Sequence, residues 1–231
     1  MILFFAAVLA AVTPPATAAP SATPSACPDV VTPDALVCRA LQAQKNGDPE
    51  AAGQAFEEAA KASSEKEPAT ARMWAAAGNM WIAAEQYGKA AVALDRALSL
   101  PGLEAEQRGE ALLDRARTAE SQNDLRTARA KLTEAAASIS ADPFYWYFSA
   151  ALAIREGDKA TAEASIGKAL TLAPSDPTVL FEAGHVAHFT GDEVGARQYW
   201  QRAAAGDPQG PIGKAAQEAL KFLPAPLTVK N

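Results

Sequence analysis

Nowhere along this chain do lysines and arginines gather into a cluster: 21 basic residues are dispersed among 27 acidic ones, for a net charge of −6. Phosphate backbones are held by concentrated positive fields, so this balance excludes a nucleic-acid partner. Histidine is scarcer still, with two copies in 231 residues. The phosphate-cradling G-x-x-x-x-G-K, the G-x-S-x-G elbow, the H-E-x-x-H of zinc proteases and a Gly-rich dinucleotide turn are all missing. Adjacent carboxylates such as Glu57-Glu58 do occur, but such pairs are ordinary solvated helix faces. No catalytic residue, cofactor or metal is assigned, and the chain is expected not to be an enzyme.

Long apolar runs are also lacking. The first residues, Met1 to Val12, are apolar but shorter than the ~20 residues a bilayer-spanning helix needs. The small residues Ala16-Thr17-Ala18 come next as an A-x-A cleavage site, so residues 1–18 read as a signal peptide and Ala19 as the mature start. Because no Lys or Arg precedes the run, an uncleaved membrane anchor is the alternative. With cleavage, the mature chain has no membrane span and is expected to be periplasmic or secreted.

Cysteine is limited to Cys27 and Cys38, on either side of the junction between a Pro/Ser/Thr-rich leader, 19–32, and the rest of the chain. In an oxidising compartment the two are expected to form a structural disulfide, stabilising by about 3 kcal/mol on the chain-entropy model. Lipidation of Cys27 is the rival, but Pro24-Ser25-Ala26 lacks the large aliphatic residue expected three places before a lipoprotein cysteine.

What the chain does have is self-similarity. An alanine, a large apolar residue four later and a second alanine three beyond recur five times, at Ala52-Phe56-Ala59, Ala90-Leu94-Ala97, Ala128-Leu132-Ala135, Ala162-Ile166-Ala169 and Ala196-Trp200-Ala203. The first alanines lie 38, 38, 34 and 34 residues apart. Sixteen residues before each stands a large side chain: Leu36, Trp74, Leu112, Trp146 and Leu180. Twelve before, the residue is always small: Ala40, Gly78, Ala116, Ala150 and Gly184. Four copies carry a turn signal just before the anchor, at Gly47-Asp48, Asn123-Asp124, Gly157-Asp158 and Gly191-Asp192.

Each unit therefore reads as helix A, a tight turn and helix B, each helix about 13 residues and roughly 20 Å long. Small side chains let the two backbones approach, and the large ones fill the grooves between ridges. Thr32-Pro33, Asp142-Pro143 and Asp176-Pro177 mark helix starts independently, each placing a capping side chain before a proline suited to the first turn. The wider early spacing implies four extra residues at the junctions around Glu65 to Pro68 and Leu103 to Gln107, where superhelix pitch should change.

The pattern resembles the tetratricopeptide-repeat (TPR) family, whose 34-residue helix-turn-helix has the form W-x2-L-G-x2-Y…A-x3-F…P. Residues 71–104 match it with Trp74, Ala77, Gly78, Trp81, Ala90, Leu94, Ala97 and Pro101, and residues 177–210 with Leu180, Ala183, Gly184, Ala187, Ala196, Trp200, Ala203 and Pro208. The first and third units diverge, Arg39 and Arg115 standing where the family usually has leucine. The resemblance implies an all-α, right-handed solenoid of about five repeats, at 33–66, 71–104, 109–142, 143–176 and 177–210. A capping helix at 211–223 comes after them, on the stripe of Ile212, Ala215, Ala216, Ala219, Leu220 and Leu223, and then a loose tail at 224–231.

It also implies that the A helices line a concave surface that binds a protein or peptide. The second unit would present Arg72, Ala75, Asn79 and Ala83, and the third Glu110, Leu113, Arg117 and Glu120. The fourth would present Phe144, Tyr147, Ala151, Ile154 and Arg155, and the fifth Thr178, Phe181, His185, His188 and Phe189. Phe144, Tyr147, Phe181 and Phe189 beside Arg117 and Arg155 suit apolar side chains and a carboxylate, unless the aromatics are ordinary core. His185 and His188, three residues apart, are an incomplete metal site, so a metal-dependent enzyme is a minor alternative. A self-associating structural subunit is another. Sequence leaves the partner and the oligomeric state open.

Overall fold

The computed structural model describes residues 27–223. Residues 1–18, expected to be a signal peptide, leader residues 19–26 and the expected tail at 224–231 lie outside the described residues. Within them the chain forms eleven α-helices and no strand. Five antiparallel pairs succeed one another: α1 (Pro33–Lys45) with α2 (Pro49–Ala62), α3 (Pro68–Ala83) with α4 (Tyr87–Ser99), and α5 (Ala105–Ser121) with α6 (Leu125–Ile139). Then come α7 (Pro143–Glu156) with α8 (Lys159–Leu172), α9 (Pro177–Thr190) with α10 (Glu193–Gly206), and a last helix, α11 (Pro211–Phe222). Each helix packs on its neighbours in sequence, as in a solenoid.

One backbone device makes the turn between paired helices. The residue before each helix-B cap takes positive φ: Gly47 at 73°, Glu85 at 57°, Asn123 at 61°, Gly157 at 76° and Gly191 at 95°. The next residue caps helix B. Asp48, Asp124, Asp158 and Asp192 each accept the backbone N–H three residues on, at 3.0, 3.0, 3.0 and 2.8 Å. The second pair has neither advantage. Glu85 holds the left-handed position without being Gly or Asn, and Gln86 makes no side-chain cap.

Between the paired helices, small residues meet large ones. A Cβ on Gly78 would stand 2.5 Å from Leu94 Cγ, and one on Gly184 would strike the Trp200 indole, whose N–H donates to the Phe181 carbonyl at 3.0 Å. The helix-B residues Phe56, Leu94, Leu132, Ile166 and Trp200 are all buried, as are Leu36, Trp74, Leu112 and Leu180 of helix A. Trp146 is the half-buried exception; its N–H donates to the Ser140 carbonyl at 2.7 Å and Lys168 Nζ lies 3.9 Å from its ring centre. The core is accordingly a chain of four apolar clusters rather than one centre. Ala216 and Leu223 belong to the last, so α11 closes the end.

Two expectations about register change. Most of the extra residues of the early junctions go into helix: α3 has 16 residues and α5 has 17, against 13 to 14 in the other A helices, while the loops before them, 63–67 and 100–104, are only slightly longer than those before α7 and α9. Gly102, at φ 108°, presses its backbone against Pro68 at the start of α3, a contact no side chain would allow. Leu113 faces inward, only 5% exposed, and packs with Leu112 and Leu132 instead of lining a groove.

The two family-divergent arginines also have partners. Arg39 donates to the Val30 carbonyl at 2.6 Å, tying the leader to α1 beside the Cys27–Cys38 disulfide, whose Cα atoms are 5.7 Å apart. Arg115 reaches back from α5 to Asp95 of α4 at 2.8 Å with its side chain 14% exposed.

Giving the second turn the chemistry of the other four should stabilise the fold. The double substitution Glu85→Gly with Gln86→Asp is expected to raise unfolding free energy by about 1–2 kcal/mol, read from urea denaturation. No gain, or a loss, would mean that the second turn is not limited by its left-handed residue and missing cap.

Candidate functional site

The A helices stand side by side, α3 against α5 and α7 against α9, and two cavities open on the wall they form. The first, of about 400 Å³, draws on Leu41 and Gln44 of α1, Arg72, Ala75, Ala76, Asn79 and Met80 of α3, and Gln107, Glu110, Ala111 and Asp114 of α5, with Phe56 and Leu103. The second, of about 540 Å³, is lined by Glu120 of α5, Ala151, Ile154 and Arg155 of α7, and Glu182, His185, His188 and Phe189 of α9. Ala75, Ala76 and Ala111 leave room in the first cavity, and Ala151 in the second, because a helix can be approached closely only where side chains are short.

Carboxylates crowd the first cavity. Asn79 donates to Asp114 Oδ2 at 2.8 Å, and Arg117 donates to Asp114 Oδ1 at 3.1 Å. Glu110 keeps its proton to higher pH than an ordinary glutamate, first because burial disfavours its charge and then because Glu106, Asp114 and Asp142 repel it.

The second cavity contains a cation and two acids, unevenly paired. Arg155 is held by three bonds: it donates to the Glu120 carbonyl at 2.8 Å, to the Glu120 carboxylate, and to Asn123 Oδ1 at 2.9 Å. His185 sets Nδ1 3.4 Å from Glu182 Oε2, its ring held edge-on between Phe181 at 4.4 Å and Trp200 at 5.4 Å. His188 sets Nδ1 3.0 Å from Glu193 Oε1. Among the described residues no three His, Cys, Asp or Glu side chains converge in a way that could hold a metal ion.

The residues singled out from sequence divide between these places. Asn79 lines the first cavity, and Arg155, His185, His188 and Phe189 the second. Phe144 and Tyr147 meet edge-to-face at 4.6 Å, with Arg117 5.5 Å from the Phe144 ring, and both aromatics are half-buried, Phe144 against the core shared by the third and fourth units and Tyr147 against that of the fourth and fifth. Burial raises the Tyr147 hydroxyl's pKa, with Arg117 opposing it. Phe181 and Phe189 likewise pack on core clusters with part of each ring exposed. Glu182 escaped sequence reading. It is 9% exposed, and its signal was available: it is the single acid of α9 between Pro177 and Thr190.

The like-charge strain at Glu110 has a measurable sign. A carboxyl whose folded pKa lies above its unfolded one costs stability that is absent below the unfolded value and is fully present above the folded value. Glu110→Gln should therefore be more stable than the parent at pH 7 and equal to it at about pH 3, by thermal unfolding at both. A variant less stable at pH 7 would show the carboxylate to be favourably paired.

No protein-family model matches the sequence, and no curated protein matches it. Solved structures do. PilW, described as a widely conserved type IV pilus biogenesis factor, superposes with a TM-score of 0.66 at 17% identity, over 79% of this chain and 81% of that one. The pilF protein of Pseudomonas aeruginosa gives 0.64 at 16% identity, covering 83% of each chain. YrrB, a TPR protein with an unusual peptide-binding site, gives 0.57 at 17% identity, over 80% of this chain and 91% of its own. Identities this low speak for the fold alone, and that fold, five stacked helix pairs with a closing helix, is the one shared by tetratricopeptide-repeat proteins.

Proposed function

We propose that this chain is an exported, non-enzymatic scaffold that holds a protein or peptide partner in the groove formed by its A helices. The observation that carries the reading is the pair of open cavities in series along one wall, about 400 and 540 Å³, built from consecutive A helices. Their positions are pinned by helix caps and by side chains packed between pairs, so the surface is formed before a partner arrives and little is lost in ordering it. YrrB, with its peptide-binding site, offers a precedent on a similar fold. Export is supported by the apolar opening segment and by the Cys27–Cys38 bond, because disulfides persist in oxidising compartments.

One observation favours a second reading, self-association. Val31, near the first helix, is 83% exposed and Phe222, in the last, 84% exposed, leaving apolar side chains toward both ends of the array. Light scattering of the purified protein separates the two: a mass that grows with concentration supports end-to-end assembly.

Ala151→Gln places a long, neutral, helix-compatible side chain in the second cavity. In affinity capture from an envelope extract, partner recovery is expected to fall ~10-fold or more relative to the parent, with helicity unchanged. Equal recovery would remove the groove from the account.

A further inference from the structure

Resting on the groove reading, the geometry points to a cation as the group its second cavity takes: a lysine or arginine side chain of the partner, seated on Glu182 beside Phe189. Three observations lead there.

Both arginines near the cavity already have an acidic partner within the chain. Arg155 is occupied by the Glu120 carbonyl, the Glu120 carboxylate and Asn123, and Arg117 by Asp114 and the face of Phe144. Glu182 is in the opposite condition. It is the charged residue counted among the buried ones in the described chain, its side chain 11% exposed and turned to the cavity. Its hydrogen-bond partner, His185 at 3.4 Å, carries charge only when protonated. A carboxylate withdrawn from water without a permanent counter-charge is unfavourable, and a cation delivered by a ligand relieves it.

The walls suit the stem of such a side chain as well as its head. Ala151 and Ile154 provide apolar surface for methylenes, and the Phe189 ring offers a face that attracts cations. That face already draws one: Lys159, from the start of α8, places Nζ 5.5 Å from the ring centre.

The charge balance is the same in both cavities. Each is lined by one arginine against two carboxylates: Arg72 against Glu110 and Asp114 in the first, and Arg155 against Glu120 and Glu182 in the second. A segment running along the wall meets Glu110 in the first cavity and Glu182 in the second, within a chain of net charge −6. The partner segment is therefore basic, with apolar residues between its cations to cover the apolar lining, Ala75 and Ala76 in the first cavity and Ala151 and Ile154 in the second.

The test is selection of random peptides displayed on phage against the disulfide-intact protein, followed by fluorescence anisotropy on the synthesised winners. Winners enriched in Lys and Arg over the input library are expected. Glu182→Gln should weaken them ~10-fold or more, while Glu163→Gln, exposed on α8, leaves them unchanged. The same loss should result from Lys→Gln replacement within the winning peptide, which needs no variant protein and so stands even if Glu182→Gln misfolds. Winners that are acidic or neutral, or basic winners held equally by Glu182→Gln, overturn the inference and leave the groove intact. A selection that yields no binder overturns the groove reading itself, and the inference falls with it.

Discussion

Close approach of the two helices within each pair sets where every groove side chain stands. Gly78 leaves room for Leu94, and Gly184 for Trp200, so helix B can seat its largest residue against the backbone of helix A. Overfilling either contact would push the A helix outward, and with it the residues on its other face. Trp200 shows how direct the connection is: its indole N–H holds the Phe181 carbonyl, and its ring flanks His185, which faces Glu182. Packing on the hidden side of α9 thereby orients the charged groups on the open side.

Between pairs, the means of attachment varies along the array. The third and fourth units share an apolar cluster in which Leu132 and Ile139 meet Tyr145, Phe148 and Leu152, and polar contacts are added to it. Arg155 of α7 reaches the C-terminal end of α5, and Arg129 of α6 donates to Glu156 and to Ser149 of α7, which in turn lies 3.0 Å from Ser165 of α8. Arg155 is used there with Glu120 to hold helices together, whereas Glu182 is left with His185 as its partner.

Much of the fold was legible because its determinants are local. Gly-Asp and Asn-Asp dipeptides announce a left-handed residue and then a cap, and four of the five turns are built that way. The fifth, Glu85-Gln86, carries no such signal because the neighbouring helices impose the conformation on unsuited residues. The additional turns of α3 and α5 read in sequence as junction residues, since Pro68 and Glu104 start those helices a turn before the repeat's usual first residue and period alone does not distinguish a longer helix from a longer loop. The family resemblance put Asn79, Arg155, His185, His188 and Phe189 on the A-helix wall, and they line its cavities, but it did not tell which charges already have partners. Arg39, Arg115, Arg117 and Arg155 look alike in sequence; only coordinates show each one engaged. Leu113 was misplaced because α5 carries two adjacent leucines and both turn inward.

The central claim is that partners dock on the A-helix wall and not on the outer B helices. Photo-crosslinking tests it most directly, with a benzophenone side chain placed at Ala151 in the wall or at Val92 on α4, which is 68% exposed. In envelope extract the account predicts an adduct with the captured partner from position 151 and none from position 92. An adduct from position 92 alone would contradict it.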